Sequence, residues 1–202
     1  MSACGTNYCS IVLNPHRKYY AKLKETMTTL YEDVFWPQDA VFMERNSRDF
    51  INRIRRVDIN AEAVCDVLLA SPRGNTRFFI HLTFKPVKQI FYPKHNPSRP
   101  NYDAFRKPDG GYGGLLSVVF HDDNDAVIFY DTIETAKGPS LGTNFTLTSP
   151  YTILAHYGEL EWAAQFGVER GLVRISVGLE ETEKIVAVFK SALEAIERRH
   201  GL

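Results

Sequence analysis

The hydrophobic pattern begins with a short apolar run, Ser10-Ile11-Val12-Leu13, that stops at Asn14-Pro15 and reads as a buried strand. Tyr20, Leu23, Met27, Leu30, Tyr31 and Val34 then recur at helical spacing. They predict an amphipathic helix over residues 17–33, broken by Trp36-Pro37. Pro37 suits the first turn of a second helix. Ala40, Met43, Ser47, Phe50, Ile54, Val57, Ala61, Val64 and Leu68 follow, spaced alternately three and four, with no Gly or Pro between them. This stripe predicts one long helix crossing between two parts of a globular protein. A lone coiled coil fits less well, because Ser47 and two alanines interrupt the seam. Ser71-Pro72 ends the helix.

The pattern then changes character. Residues 86–92 and Leu115–Phe120 read as strands, and the proline-rich stretch 93–108 between them reads as turns. Ala126, Phe129, Tyr130 and Ile133 fit a short helix, residues 137–151 loop and short strand, and Leu154–Phe166 a helix. Residues 172–177 alternate: Val173, Ile175 and Val177 point one way, Leu172, Arg174 and Ser176 the other. The closing helix buries Ile185, Val188, Phe189, Ala192, Leu193 and Ile196. It has glutamates near its start and Arg198, Arg199 and His200 at its end, as the helix dipole favours. Helices first, then strands mixed with helices, make an α+β arrangement in the second half.

Charge narrows the function. Lys plus Arg and Asp plus Glu number 24 each, so there is no excess positive charge for nucleic acid or an acidic membrane. No apolar run approaches the roughly 20 residues of a membrane span, and the N-terminus lacks the features of a signal peptide. Cys4, Cys9 and Cys65 do not form a disulfide framework, which points to a cytoplasmic setting.

Most candidate chemistry has a plain alternative. The cluster Gly110, Gly111, Gly113 and Gly114 precedes a strand, whereas a phosphate loop precedes a helix; it reads as a flexible lead into the strand. Asp122, Asp123, Asn124 and Asp125 lack the ligand spacing of a calcium loop and read as a solvated turn. No metal site is expected from Cys4 and Cys9. His81, His95, His121 and His156 form no recognisable triad with a serine. Arg174 is a lone cation in an apolar strand. It either faces solvent or grips a carboxylate through its planar guanidinium, and the Ser140-Leu141-Gly142 loop is able to add a hydroxyl and a close backbone approach. Spacing alone does not join the two.

Six blocks together carry a resemblance: VLNP (12–15), YEDVFWPQDAVFMERNSRDF (31–50), IFYPKHNPSRPNYD (90–103), GGYGGLLS (110–117), AKGPSLGTNFTLTSPY (136–151), and AHYGELEWAAQFGV with LVRISVGLE (155–180). In this order they resemble the Cys/Met-metabolism family of pyridoxal-phosphate enzymes, and within it the fungal cystathionine gamma-synthases. The resemblance implies an α/β chain with an α+β C-terminal domain, the C-terminal portion of the aspartate-aminotransferase-like fold (fold type I). Residues 1–68 would be the end of the large domain and the connecting helix, and 69–202 the small α+β domain. It implies pyridoxal phosphate as cofactor and amino acids as substrates. It also implies gamma-replacement of an activated homoserine ester by cysteine, in methionine biosynthesis. It places the substrate carboxylate on Arg174 with Ser140 beside it. Homo-oligomers, or association with a full-length relative, are the implied partners.

The family's Schiff-base lysine and its other cofactor anchors lie upstream of the VLNP strand, before Met1. No catalytic or cofactor-binding residue is therefore expected in this chain. A non-catalytic fragment or interaction module, or another family member such as a gamma-lyase, are the alternatives. The stretch Gly74–Lys85 has no counterpart in the family pattern and reads as inserted, either an unusual loop or a retained intron.

Overall fold

The computed structural model describes residues 14–32, 34–70 and 84–201 of the 202. The expected strand at 10–13 and nearly all of the expected insertion at 74–85 lie outside the described residues. The chain divides into two compact units between Phe50 and Ile51.

The first unit holds α1 (Tyr20–Thr29) and α2 (Pro37–Ser47). In α1 the hydroxyls of Thr26, Thr28 and Thr29 donate to the carbonyls four residues back, at 2.9, 2.8 and 2.8 Å. Such back-bonding competes with the helix ladder, and the helix stops at once. Neither helix buries a residue. Pro37 does occupy the first turn of α2.

The predicted long helix is two helices. A turn at Arg48-Asp49 separates α2 from α3 (Phe50–Leu69). Ser47 Oγ bonds back to the Glu44 carbonyl at 2.7 Å, and both Arg48 Nε and Nη2 hold the Glu44 carboxylate. Local side-chain bonds therefore compete with continuation of the helix at the weak point of the apolar stripe. The second half of α3 buries Asn60, Ala61, Val64, Cys65 and Leu68. By packing, this half belongs to the second unit, whose core it joins.

Among the described residues that unit is built on a five-stranded sheet in the order β1-β2-β5-β4-β3. Its strands are β1 (Val87–Phe91), β2 (Leu115–Phe120), β3 (Ala136–Lys137), β4 (Leu147–Ser149) and β5 (Val173–Ser176). All pairings are antiparallel except β3 with β4. Leu116, Val118, Val173 and Ile175 point into one core with α5 (Asp123–Thr132) and α8 (Thr182–Arg199). Phe129 bridges the layers, its ring centroid 5.0 Å from Phe120 and 6.0 Å from Phe189.

Two further helical expectations change. The stretch read as turns contains α4 (Arg99–Phe105), since Pro100 sits in its first turn, where no amide hydrogen is needed. The helix expected over 154–166 is α6 (Tyr151–His156), a 3-10 turn (Tyr157–Glu159) and α7 (Leu160–Ala164), interrupted at Gly158, a poor helix former.

Candidate carboxylate-binding site

Arg174 sits in the middle of the sheet on β5. In the ladders it stands opposite Ser117 of β2 on one side and Ser149 of β4 on the other. Directly opposed residues share a sheet face, so a Ser-Arg-Ser row crosses the face turned away from Val173 and Ile175. Arg174 is half-buried. Its Nη2 donates to the Pro139 carbonyl, and its guanidinium carbon lies 4.6 Å from the centre of the Tyr151 ring. Among the described residues no carboxylate pairs with it.

Ser140 is the next residue after Pro139 and is exposed. The loop that carries it is pinned to β5 a second time, where the Gly142 amide donates to Ser176 Oγ at 3.0 Å. Arg174 and Ser176 are two residues apart on one strand and so share a face. Gly142 has φ +69°, a left-handed conformation that a side chain would strain. The structure thus brings Ser140 and Arg174 into one corner, which spacing along the chain did not show.

A second set of bonds fixes the far end of the same loop. Thr146 donates its amide and hydroxyl to the two oxygens of Glu180. Gly178 donates its amide to the Thr146 hydroxyl at 3.0 Å. Asn60, fully buried on α3, donates to the carbonyls of Gly178 at 3.1 Å and Glu180 at 2.8 Å. Thr182 donates to Asn60 Oδ1 at 2.8 Å. The carboxylate and amide that do this work come from distant segments, and no local sequence signal marks them.

The other candidates take structural roles. The glycines at 110–114 are not merely flexible: they let α3 approach. A Cβ on Gly111 would stand 2.1 Å from Asp58 Cγ, and one on Gly114 would stand 2.1 Å from a methyl of Val57. Asp58 accepts the Gly113 amide at 2.7 Å, and burial is the largest influence on its carboxyl, raising its pKa. Glycines with no turn to make were the available signal for this contact. The acidic stretch is only partly a solvated turn. Asp122 caps α5 by accepting the Asn124 amide at 2.9 Å. Asp125 is 2% exposed and pairs with Arg199 at 2.6 Å and His200 at 3.0 Å. Cys65 is buried, and burial pushes its thiol up to about 12, away from reactivity. Cys4, Cys9 and His81 lie outside the described residues. His95 lies against the Tyr92 ring, and His156 pairs with Glu159. Among the described residues no cluster of His, Cys, Asp or Glu is arranged to hold a metal ion.

Pyridoxal phosphate needs a lysine amine at the site. Lys137 lies nearest in sequence to the Pro139-Ser140 corner, and burial lowers its pKa. It is paired in register with Thr148, the neighbour of Ser149, and so points to the opposite face. There it donates to the carbonyls of Tyr130 and Ile133 on and after α5. The corner around Arg174 therefore suits a carboxylate, and Lys137 does not fit as the cofactor's anchor.

The profile of the Cys/Met metabolism PLP-dependent enzymes matches residues 11–194. Cystathionine gamma-synthase of Neurospora crassa is 55% identical over 196 residues, which is 97% of this chain and 30% of that protein. The cystathionine gamma-synthase-like enzyme iboG2 of Amanita muscaria is 46% identical, over 96% of this chain and 32% of its own length. The chain thus spans about a third of the curated relatives it matches. The crystal structure of Xanthomonas oryzae cystathionine gamma-synthase in complex with cystathionine shares the fold, with a TM-score of 0.61 at 24% identity over 76% of this chain and 37% of that one. The fold is therefore a portion of fold type I. With its profile matched across most of its length, the chain belongs to the Cys/Met metabolism family of pyridoxal-phosphate-dependent enzymes.

Proposed function

We propose that this chain is the substrate-carboxylate-gripping portion of a cystathionine gamma-synthase-like enzyme. The reaction is gamma-replacement of an activated homoserine ester by cysteine, in methionine biosynthesis, with amino acids as substrates and a cytoplasmic setting. One observation carries the reading: Arg174, in a well-packed strand, has no carboxylate partner among the described residues and is held beside Ser140. An arginine fork so placed matches a carboxylate in two parallel hydrogen bonds, and the Ser140 hydroxyl adds a third. The 55% identity to the Neurospora crassa synthase supports the choice of reaction class. Pyridoxal phosphate, when bound in this family, supplies the electron sink for chemistry at the amino acid; this chain's part is to hold and orient the carboxylate.

A second reading is a non-catalytic module that self-associates or pairs with a full-length relative. The orientation of Lys137 away from the Arg174 face favours it. The experiment is titration of the 202-residue chain with L-cystathionine, together with borohydride trapping after addition of pyridoxal phosphate. Saturable binding that Arg174→Ala abolishes supports the grip. Binding unaffected by that substitution rejects it. A specific trapped lysine supports a catalytic chain, and its absence supports the module. Light scattering of the same sample reads self-association.

A further inference from the structure

The arm of Arg174 takes a path that the sheet order defines. Arg174 is on β5, and Pro139 follows β3. Strand β4 lies between them. The Gly138 amide donates to the Thr148 carbonyl at 3.1 Å, which sets Pro139 level with the end of β4. To reach the Pro139 carbonyl, the side chain must cross β4 where Ser149 stands directly opposite Arg174. Ser149 is 1% exposed, and its hydroxyl has no hydrogen-bond partner. A buried hydroxyl without a partner is uncommon, and a floor beneath an arginine arm accounts for its burial. A small side chain there lets the arm lie flat.

Beyond the floor the guanidinium meets Tyr151, half-buried at the start of α6. The ring face and the Pro139 carbonyl hold the group from two directions. A guanidinium has five N–H groups, and the Pro139 carbonyl takes one. The rest stay available to a carboxylate, because a ring face attracts the cation without occupying its hydrogen-bond donors. Tyr151 is itself steadied by His156, whose ring packs edge-on at 5.6 Å.

We infer that Tyr151 is a positioning residue: its ring, over the Ser149 floor, fixes the Arg174 guanidinium in the orientation in which it receives a substrate carboxylate. The inference rests on the carboxylate grip proposed above, and it adds the residue that sets the geometry of that grip.

The test uses the side-chain Nε–Hε signal of Arg174 in the full chain, assigned by its loss in Arg174→Lys. In the wild type this proton shows nuclear Overhauser contacts to the Tyr151 ring and an upfield ring-current shift. Tyr151→Phe keeps the ring face, so the shift stays and the dissociation constant for L-cystathionine changes less than about two-fold. Tyr151→Leu keeps the bulk and loses the ring, so the shift disappears and the dissociation constant rises about five-fold. A merely structural role does not separate phenylalanine from leucine in this way. An unchanged Arg174 signal or unchanged affinity in a folded Tyr151→Leu chain overturns the inference. Absence of the wild-type contact to the Tyr151 ring overturns it too, whether or not any variant folds. If the ring signature behaves as stated but the wild type does not bind L-cystathionine, the positioning of Arg174 stands and the carboxylate reading fails.

Discussion

Two arginines in the second unit, Arg199 and Arg174, are held by different kinds of neighbour. Arg199, at the end of α8, is saturated. It pairs with Asp122 at 3.0 Å and with buried Asp125 at 2.6 Å, tying the last helix to the start of α5. Arg174 is better packed into the sheet, yet has no carboxylate partner among the described residues. Its neighbours are serines, a carbonyl oxygen and an aromatic face. All of these orient a guanidinium and none neutralises it. A buried ion pair contributes to stability chiefly in that breaking it is costly. A held but unneutralised guanidinium contributes little to stability, and keeps its electrostatic attraction for a ligand.

The comparison breaks if the two arginines behave alike on mutation. Asp125→Ala removes the buried partner of Arg199 and should destabilise the chain by about 3 kcal/mol, read from urea unfolding at constant m. Arg174→Ala should do the reverse. Stability should change by less than about 1 kcal/mol, while affinity for L-cystathionine falls at least about ten-fold, equivalent to about 1.4 kcal/mol. Equal stability losses for these two substitutions would sink the distinction. Gly142→Ala sharpens it. At φ +69° the new side chain strains the loop, at about 1 kcal/mol, and loosens its hold on Ser176. Calorimetry of that variant should show weaker ligand binding with the α5–α8 clamp intact.

The smallest effect is one of pH. The Asn124 amide bond, and then the Arg199 guanidinium, hold the Asp122 carboxyl below its ordinary value of 3.8. A depressed carboxyl contributes stability that is present above the ordinary value and is lost as pH falls through the lowered one. Asp122→Asn should therefore be slightly less stable than the wild type at neutral pH, and the difference should vanish as pH falls through the lowered value, which makes the wild-type acid limb slightly steeper. Thermal melts between pH 2 and 7, in steps of about one unit, read this slope.

Much of this molecule was legible before its structure. The apolar run Leu115–Phe120 and the alternation around Arg174 are strands because the pleat sorts side chains by parity. The apolar face of α8 was readable for the matching reason at helical period. Less was legible where a local rule had two outcomes. Pro100 reads equally as a turn former or a first-turn residue, and the helix α4 was missed. The stripe through Ser47 looked continuous, because periodicity does not register a hydroxyl competing for a carbonyl.

By itself the sequence determined the main strands, the closing helix and the family, and singled out Arg174 and Ser140 as candidates, since periodicity and motif order are properties of neighbours along the chain. Only the tertiary structure decided the rest. It turned Lys137 to the face opposite Arg174, paired Ser149 with Arg174 across the ladder and set Tyr151 against the guanidinium. The physical reason is strand order: β4 lies between β5 and β3, so three segments far apart in sequence meet on one face of a sheet.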